Sequence, residues 1–157
     1  MKKLNNKGFT LVELLAVIII LAIVVGISIP AITNIINDSK NNALGVAVDA
    51  ASDYLTDQYS YMNIDFNTAT ESFRNAFKTS PTNSVPITGD LLTEMGLSSN
   101  NVTTVTAKLN TTTGKICVTV EQIPQTSEYY STEFWGPDGK AKSGASTKNS
   151  NCPATTN

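Results

Sequence analysis

Among the residues able to do chemistry, the acid Glu13 holds the least expected position. It lies five residues into the run FTLVELLAVIIILAIVVGISI, Phe9 to Ile29, and is the single charge in those 21 residues. An ionisable group near a bilayer centre costs on the order of 3 kcal/mol and usually marks function, although the cost falls toward the end of the run where Glu13 sits. Just before the run stands the basic octapeptide MKKLNNKG. A cut between Gly8 and Phe9 would create an α-amino group with a reference pKa of about 8, largely cationic at neutral pH and able to neutralise a carboxylate.

Other reactive residues are few. The chain has no histidine, so the commonest acid–base group and the commonest metal ligand are both missing. It contains no P-loop, Rossmann glycine fingerprint, metal-binding Cys/His cluster or Ser/His/Asp set, and neither catalysis, a cofactor nor a specific metal is expected. Cys117 and Cys152 would form one disulfide in an oxidising compartment, worth roughly 4 kcal/mol for a loop of this length, but their spacing describes two free thiols equally well. Tyr129, Tyr130, Phe134 and Trp135 could meet a surface or a glycan, yet aromatics in strands more often pack, and packing is the preferred reading. Asp138 in Pro137-Asp138-Gly139 reads as turn chemistry and not as a calcium ligand. Asn101-Val-Thr103 and Asn110-Thr-Thr112 fit the short N-glycosylation pattern, which is frequent by chance in an Asn/Thr-rich chain.

The elements that position these groups follow from composition and periodicity. With 157 residues and 41% hydrophobic residues there is room for one head with a small core. A net charge of −2 and dispersed basic residues give no face for nucleic acid. As a helix, Phe9 to Ile29 would extend ~32 Å, enough to span a bilayer. Lys2, Lys3 and Lys7 hold the N-terminus in the cytoplasm and send the bulk outward. An ordinary secretory signal has a shorter apolar run followed by a small-x-small site; here Pro30 and an amphipathic continuation follow instead.

Lys7 to Leu15, K-G-F-T-L-V-E-L-L, resembles the type III signal of type IV prepilins and pseudopilins. The resemblance covers about the first third of the chain. It implies that a membrane peptidase cuts after Gly8 and methylates Phe9, and that Glu13 pairs with the Phe9 amine of a neighbouring subunit during assembly. The implied partners are other copies of the chain in a homo-oligomeric filament, prepilin peptidase, the pilus assembly platform and minor pilins. The implied location is the cytoplasmic membrane, then an extracellular pilus serving adhesion, surface motility or DNA uptake. Many type IV pilins carry proline where Pro30 falls, and some partly unfold there within filaments. The disulfide-bounded C-terminal region of many pilins would correspond to Cys117 and Cys152. Loss of residues 1–8 would leave 8 basic against 13 acidic side chains, a charge of −5. A pseudopilin of a secretion or DNA-uptake machine shares every N-terminal feature. A monomeric anchored binding protein leaves Gly8-Phe9 and Glu13 unexplained.

Beyond the run, Ile32, Ile35, Ile36, Ala43, Val46, Ala47, Ala50, Ala51, Tyr54 and Leu55 recur at helical spacing. One helix from about Phe9 to Met62 is predicted, with a kink near Gly26–Pro30. Asn67 to Lys78 predicts a short helix capped by Thr68 with Glu71. Ser80 to Gly89 reads as loop, and Asp90 starts a turn of helix, Leu91 to Met95, ended by Gly96. Strands are predicted at Val102–Leu109, Ile116–Ile123 and Glu128–Trp135, the last stopped by Gly136-Pro137-Asp138-Gly139. The resulting fold class is α+β, a small antiparallel sheet packed on the distal half of a long helix. Its organisation is a leader at 1–8, a membrane helix at 9–29, an amphipathic continuation at 30–62, a connecting region at 63–101, and the sheet with an irregular tail at 102–157.

Overall fold

A computed structural model describes residues 9–78 and 82–152. The leader with Gly8, part of the expected Ser80–Gly89 loop and the last five residues lie outside the described residues. The fold is α+β, in the order α1 (Leu11–Ile64), α2 (Glu71–Ala76), β1 (Val85–Ile87), α3 (Asp90–Glu94), β2 (Thr104–Asn110) and β3 (Lys115–Gln122). The chain divides into two compact units, one ending at Ile36 and one beginning at Asn37, and α1 contributes to both.

In the first unit α1 is apolar on every side, with Pro30 inside the helix. The helical assignment continues through Gly26–Pro30 in the isolated chain. Ser28 Oγ donates to the Val24 carbonyl at 2.7 Å and Thr33 Oγ1 to that of Ile29 at 3.0 Å, so hydroxyls bond the helix backbone on both sides of the proline.

In the second unit α1 buries Asn41, Leu44, Val48, Ala51, Ser52, Leu55 and Gln58, a seam spaced by three and four residues. This corrects the stripe read from sequence. Leu44 and Val48 are in the core while Val46 is exposed, because three polar residues share the buried face and hide its period. Each has a partner. Asn41 and Ser52 bond the C-terminal segment, and Gln58 Oε1 accepts from the Thr70 amide at 2.8 Å.

Thr70, not the expected Thr68, is the N-cap of α2, its side chain accepting from the Phe73 amide. Thr68 bonds the carbonyls of Tyr61 and Asp65 instead and closes the turn after α1. Asp90 opens α3 without capping it, since the cap residue is Gly89 and no side chain serves there. At the other end Gly96 has φ 80°. Its amide bonds the Thr93 carbonyl and that of Leu97 bonds Leu92, a Schellman ending.

The antiparallel sheet has the order β1-β2-β3. Val105, Ala107 and Leu109 of β2 and Ile116, Val118 and Val120 of β3 turn inward to the core. A register shift between Thr104 and Val105 breaks the alternation that had started the strand at Val102. Two assignments differ from the sequence reading. Val85–Ile87, read as part of the Ser80–Gly89 loop, is the edge strand β1, a place where Pro86 is tolerated. Glu128–Trp135 is not a strand. Local bonds from Tyr130 to Ser127 and from Trp135 to Ser131 wind it into turns, and its one ladder contact is the Trp135–Ala141 bridge.

The outer edge of β3 is covered. The Ile116 amide donates to Thr56 Oγ1 at 3.0 Å, the Val118 amide to Asn149 Oδ1 at 2.9 Å and the Val120 amide to the Thr147 carbonyl at 2.8 Å. An open edge would template pairing with another chain; here side chains of α1 and a C-terminal strap occupy it. Ahead of the strap, the Gly136–Gly139 turn crosses closely at Gly139, where φ is 75° and a Cβ would lie 2.1 Å from the Ile123 carbonyl oxygen. Gly139→Ala should therefore destabilise the head by about 2 kcal/mol or more, read as a lower midpoint in chemical denaturation of the full chain in detergent.

Candidate functional site

Glu13 occupies the third position of α1, and Thr10 precedes the helix. The Thr10 amide donates to Glu13 Oε2 at 2.8 Å, the Thr10 hydroxyl donates to the same oxygen at 2.9 Å, and the Glu13 amide returns a bond to Thr10 Oγ1 at 3.3 Å. This reciprocal arrangement is a capping box. Its signature, Thr-x-x-Glu, stands in the sequence directly ahead of the apolar run of the helix. The box places the carboxylate where the helix dipole favours negative charge and supplies two donors to one of its oxygens. It also ties the exposed acid to the amide and hydroxyl of Thr10, the residue next to Phe9. Phe9 itself is 91% exposed.

From Leu11 to Ile29 the large apolar side chains are exposed. Among the described residues α1 is the helix long and apolar enough to cross a membrane, by length and composition. A lone helix of this kind has no internal partner for its surface, so the surface requires lipid or other helices.

Residues 3–29 match the family model described as the prokaryotic N-terminal methylation motif. That motif indicates the class of type IV pilins and pseudopilins, structural subunits and not enzymes, which are processed by prepilin peptidase and assembled into a pilus or pseudopilus. The matched segment contains Gly8, Phe9, Glu13 and Gly26 and stops one residue before Pro30. No curated protein and no solved structure matches the chain significantly.

In the second unit Cys117 and Cys152 are joined as a disulfide. Trp135 is buried, and Tyr129, Tyr130 and Phe134 pack partly buried against the same core, which is the packing role preferred above. The Tyr130 hydroxyl donates to the Gly136 carbonyl at 3.2 Å. Asp138 Oδ1 accepts from the Lys140 amide at 3.2 Å, as turn chemistry requires. Asn101 Nδ2 donates to Glu128 Oε1 at 2.6 Å and Asn110 Nδ2 to the Asn151 carbonyl at 2.9 Å, so both candidate glycosylation amides have structural partners. Among the described residues no group of three or more Cys, Asp or Glu side chains converges as a metal site.

One further acid gathers partners that the sequence did not reveal. Glu94 accepts hydroxyl bonds from Tyr54 at 3.0 Å, Thr70 at 2.9 Å and Ser72 at 2.9 Å, tying α1, α2 and α3 at one carboxylate. Slight desolvation pushes its pKa up, but the hydroxyls of Ser72, Thr70 and Tyr54 together outweigh that and hold the exposed carboxyl below the ordinary glutamate value. Since the depressed pKa belongs to the folded state, the contribution is present above the unfolded value, about 4.3, and is lost as pH falls through the folded one. Denaturation midpoints of the native head should fall as pH drops through and below about 4.3, and Glu94→Gln should flatten that part of the profile.

Proposed function

We propose that the chain is the pilin subunit of an extracellular type IV pilus. Prepilin peptidase cuts between Gly8 and Phe9 and methylates the new Phe9 amine. An assembly platform then lifts subunits from the cytoplasmic membrane into a homo-oligomeric filament with its minor pilins. The observation that carries this reading is the Glu13 carboxylate, held by the Thr10 box at the end of an exposed apolar helix and close in sequence to the future terminus. In a neighbouring copy the cationic Phe9 amine is the charged partner that this carboxylate, hydrogen-bonded to Thr10, lacks after leaving the aqueous boundary. Moving helix surface from lipid to protein contributes little hydrophobic free energy, so van der Waals packing and this charge pairing set the register. The Gly26–Pro30 segment, helical in the isolated chain, is where the helix loses an internal donor and can stretch on assembly.

A pseudopilin would use the same N-terminal chemistry. The disulfide-closed strap over β3 favours the pilin reading, because that edge is built for exposure in an oxidising exterior. Adhesion, surface motility and DNA uptake are the tasks open to such a filament.

Glu13→Ala should leave membrane insertion unchanged, since it makes the run more apolar, while lowering surface filaments by about tenfold or more through loss of a desolvated ion pair. Membrane fractionation and electron-microscopic filament counts read the two effects separately. Normal filament numbers in that variant would overturn the assignment of Glu13 to assembly.

A further inference from the structure

The C-terminal strap, Gly144 to Cys152, carries more attachments than a tail held by a disulfide needs. Asn41 Oδ1 accepts from the Ser146 amide at 2.7 Å, and Asn41 Nδ2 donates to the Gly144 carbonyl at 3.1 Å. At the crossing, Gly45 leaves room for the strap: a Cβ there would sit 3.3 Å from Ser146 Oγ. Farther along, Ser52, fully buried on α1, donates its hydroxyl to the Ile116 carbonyl and accepts from Asn149 Nδ2 at 2.7 Å and Asn151 Nδ2 at 3.0 Å. One hydroxyl thus uses its donor and both acceptor positions. Asn149, itself buried, completes the knot by accepting the Val118 amide at 2.9 Å. The Asn151 carbonyl accepts from Asn110 Nδ2 at 2.9 Å.

The placement of these bonds around the two cysteines is specific. Cys117 lies between Ile116 and Val118, whose backbone groups are both gripped, and Cys152 directly follows Asn151. We infer that the hydrogen-bonded knot, and not the disulfide, docks the strap, and that Ser52, Asn149 and Asn151 are positioning residues which bring the Cys152 thiol to Cys117. The head then folds first and is oxidised second. The non-covalent contacts meet the loop-closure entropy, and the disulfide locks an arrangement already formed.

Oxidation by a small-molecule disulfide follows ordinary exchange. One cysteine thiolate attacks glutathione disulfide, forming a mixed disulfide and releasing one glutathione. The second thiolate attacks the protein sulfur of that mixed disulfide and releases the other glutathione. Two protein thiols and one glutathione disulfide thus give one protein disulfide and two glutathiones, the two thiol protons passing to the departing thiolates. The intramolecular second step depends on the effective concentration of one thiol at the other, which is what the knot raises.

The test equilibrates the full chain in detergent micelles with defined mixtures of reduced and oxidised glutathione and measures the effective concentration of the cysteine pair. Ser52→Ala and Asn149→Ala should each lower it by about tenfold or more, since each leaves buried polar groups unpartnered. Asn151→Ala should lower it by less, because Ser52 and Asn149 remain joined. In a second arm, the Cys117→Ser, Cys152→Ser double variant should keep the Val118 and Val120 amides protected from hydrogen exchange, since their acceptors are Asn149 and Thr147. Wild-type effective concentration in folded Ser52→Ala and Asn149→Ala would overturn the inference. So would loss of protection at Val118 and Val120 in the double variant, and that arm decides alone if Ser52→Ala fails to fold.

Discussion

A single helix in this chain has to be acceptable to two environments, and the remaining elements follow from how it meets each. Up to Ile36 α1 presents apolar side chains in every direction, which water does not tolerate and lipid or other helices do. From Asn37 on it presents one buried seam and leaves the other face to solvent. The change is written in composition: the first stretch has Glu13 as its charge, whereas Asp38, Lys40, Asp49, Asp53 and Asp57 punctuate the second. A seam of Leu44, Val48, Ala51 and Leu55 gives the sheet an apolar surface to cover. Hydrophobic burial alone does not fix where each loop lands on it. Asn41, Ser52 and Gln58 do, each buried, the first two holding the C-terminal strap and the third the start of α2 by hydrogen bonds that are costly to break in a dry interior.

The same logic of local satisfaction governs the acid in the apolar stretch. Thr10 and Glu13 complete each other's bonding at the start of α1, so the carboxylate has partners before any neighbour arrives. A charge satisfied in this way is tolerable in a lone subunit and, in the assembly we propose, exchanges into a stronger, charge-assisted pair. Conflict between apolar surroundings and a retained acid is typical of functional positions, where sequences depart from the rules that build stable folds.

Much of this was legible in the sequence. The membrane-length run, the α+β class and the hairpin of β2 and β3 rest on strong, local signals: continuous hydropathy, alternation, and a Gly-containing loop at Asn110–Gly114, whereas the spacing of Cys117 and Cys152 fitted free thiols as well as the disulfide that the structure has. What escaped depended on contacts distant in sequence. The buried face of α1 was misphased because Asn41, Ser52 and Gln58 look like surface residues until their partners in the strap and at Thr70 are known. Pro86 disguised β1, since an edge strand is defined by what lies beside it. Glu128–Trp135 has the aromatic content of a strand, but its residues bond to one another in turns and present their rings to the core from there. The Thr10–Glu13 box was legible and was missed, as a role for the acid between subunits had displaced its simpler role within the helix.

The account stands on an amine being generated at Phe9 for the acid of another copy. Mass spectrometry of the N-terminal peptide from filaments sheared off the cell surface tests this most directly. The peptide should begin at Phe9 and carry one methyl group on its α-nitrogen. Filaments whose subunits still begin with MKKLNNKG would contradict it.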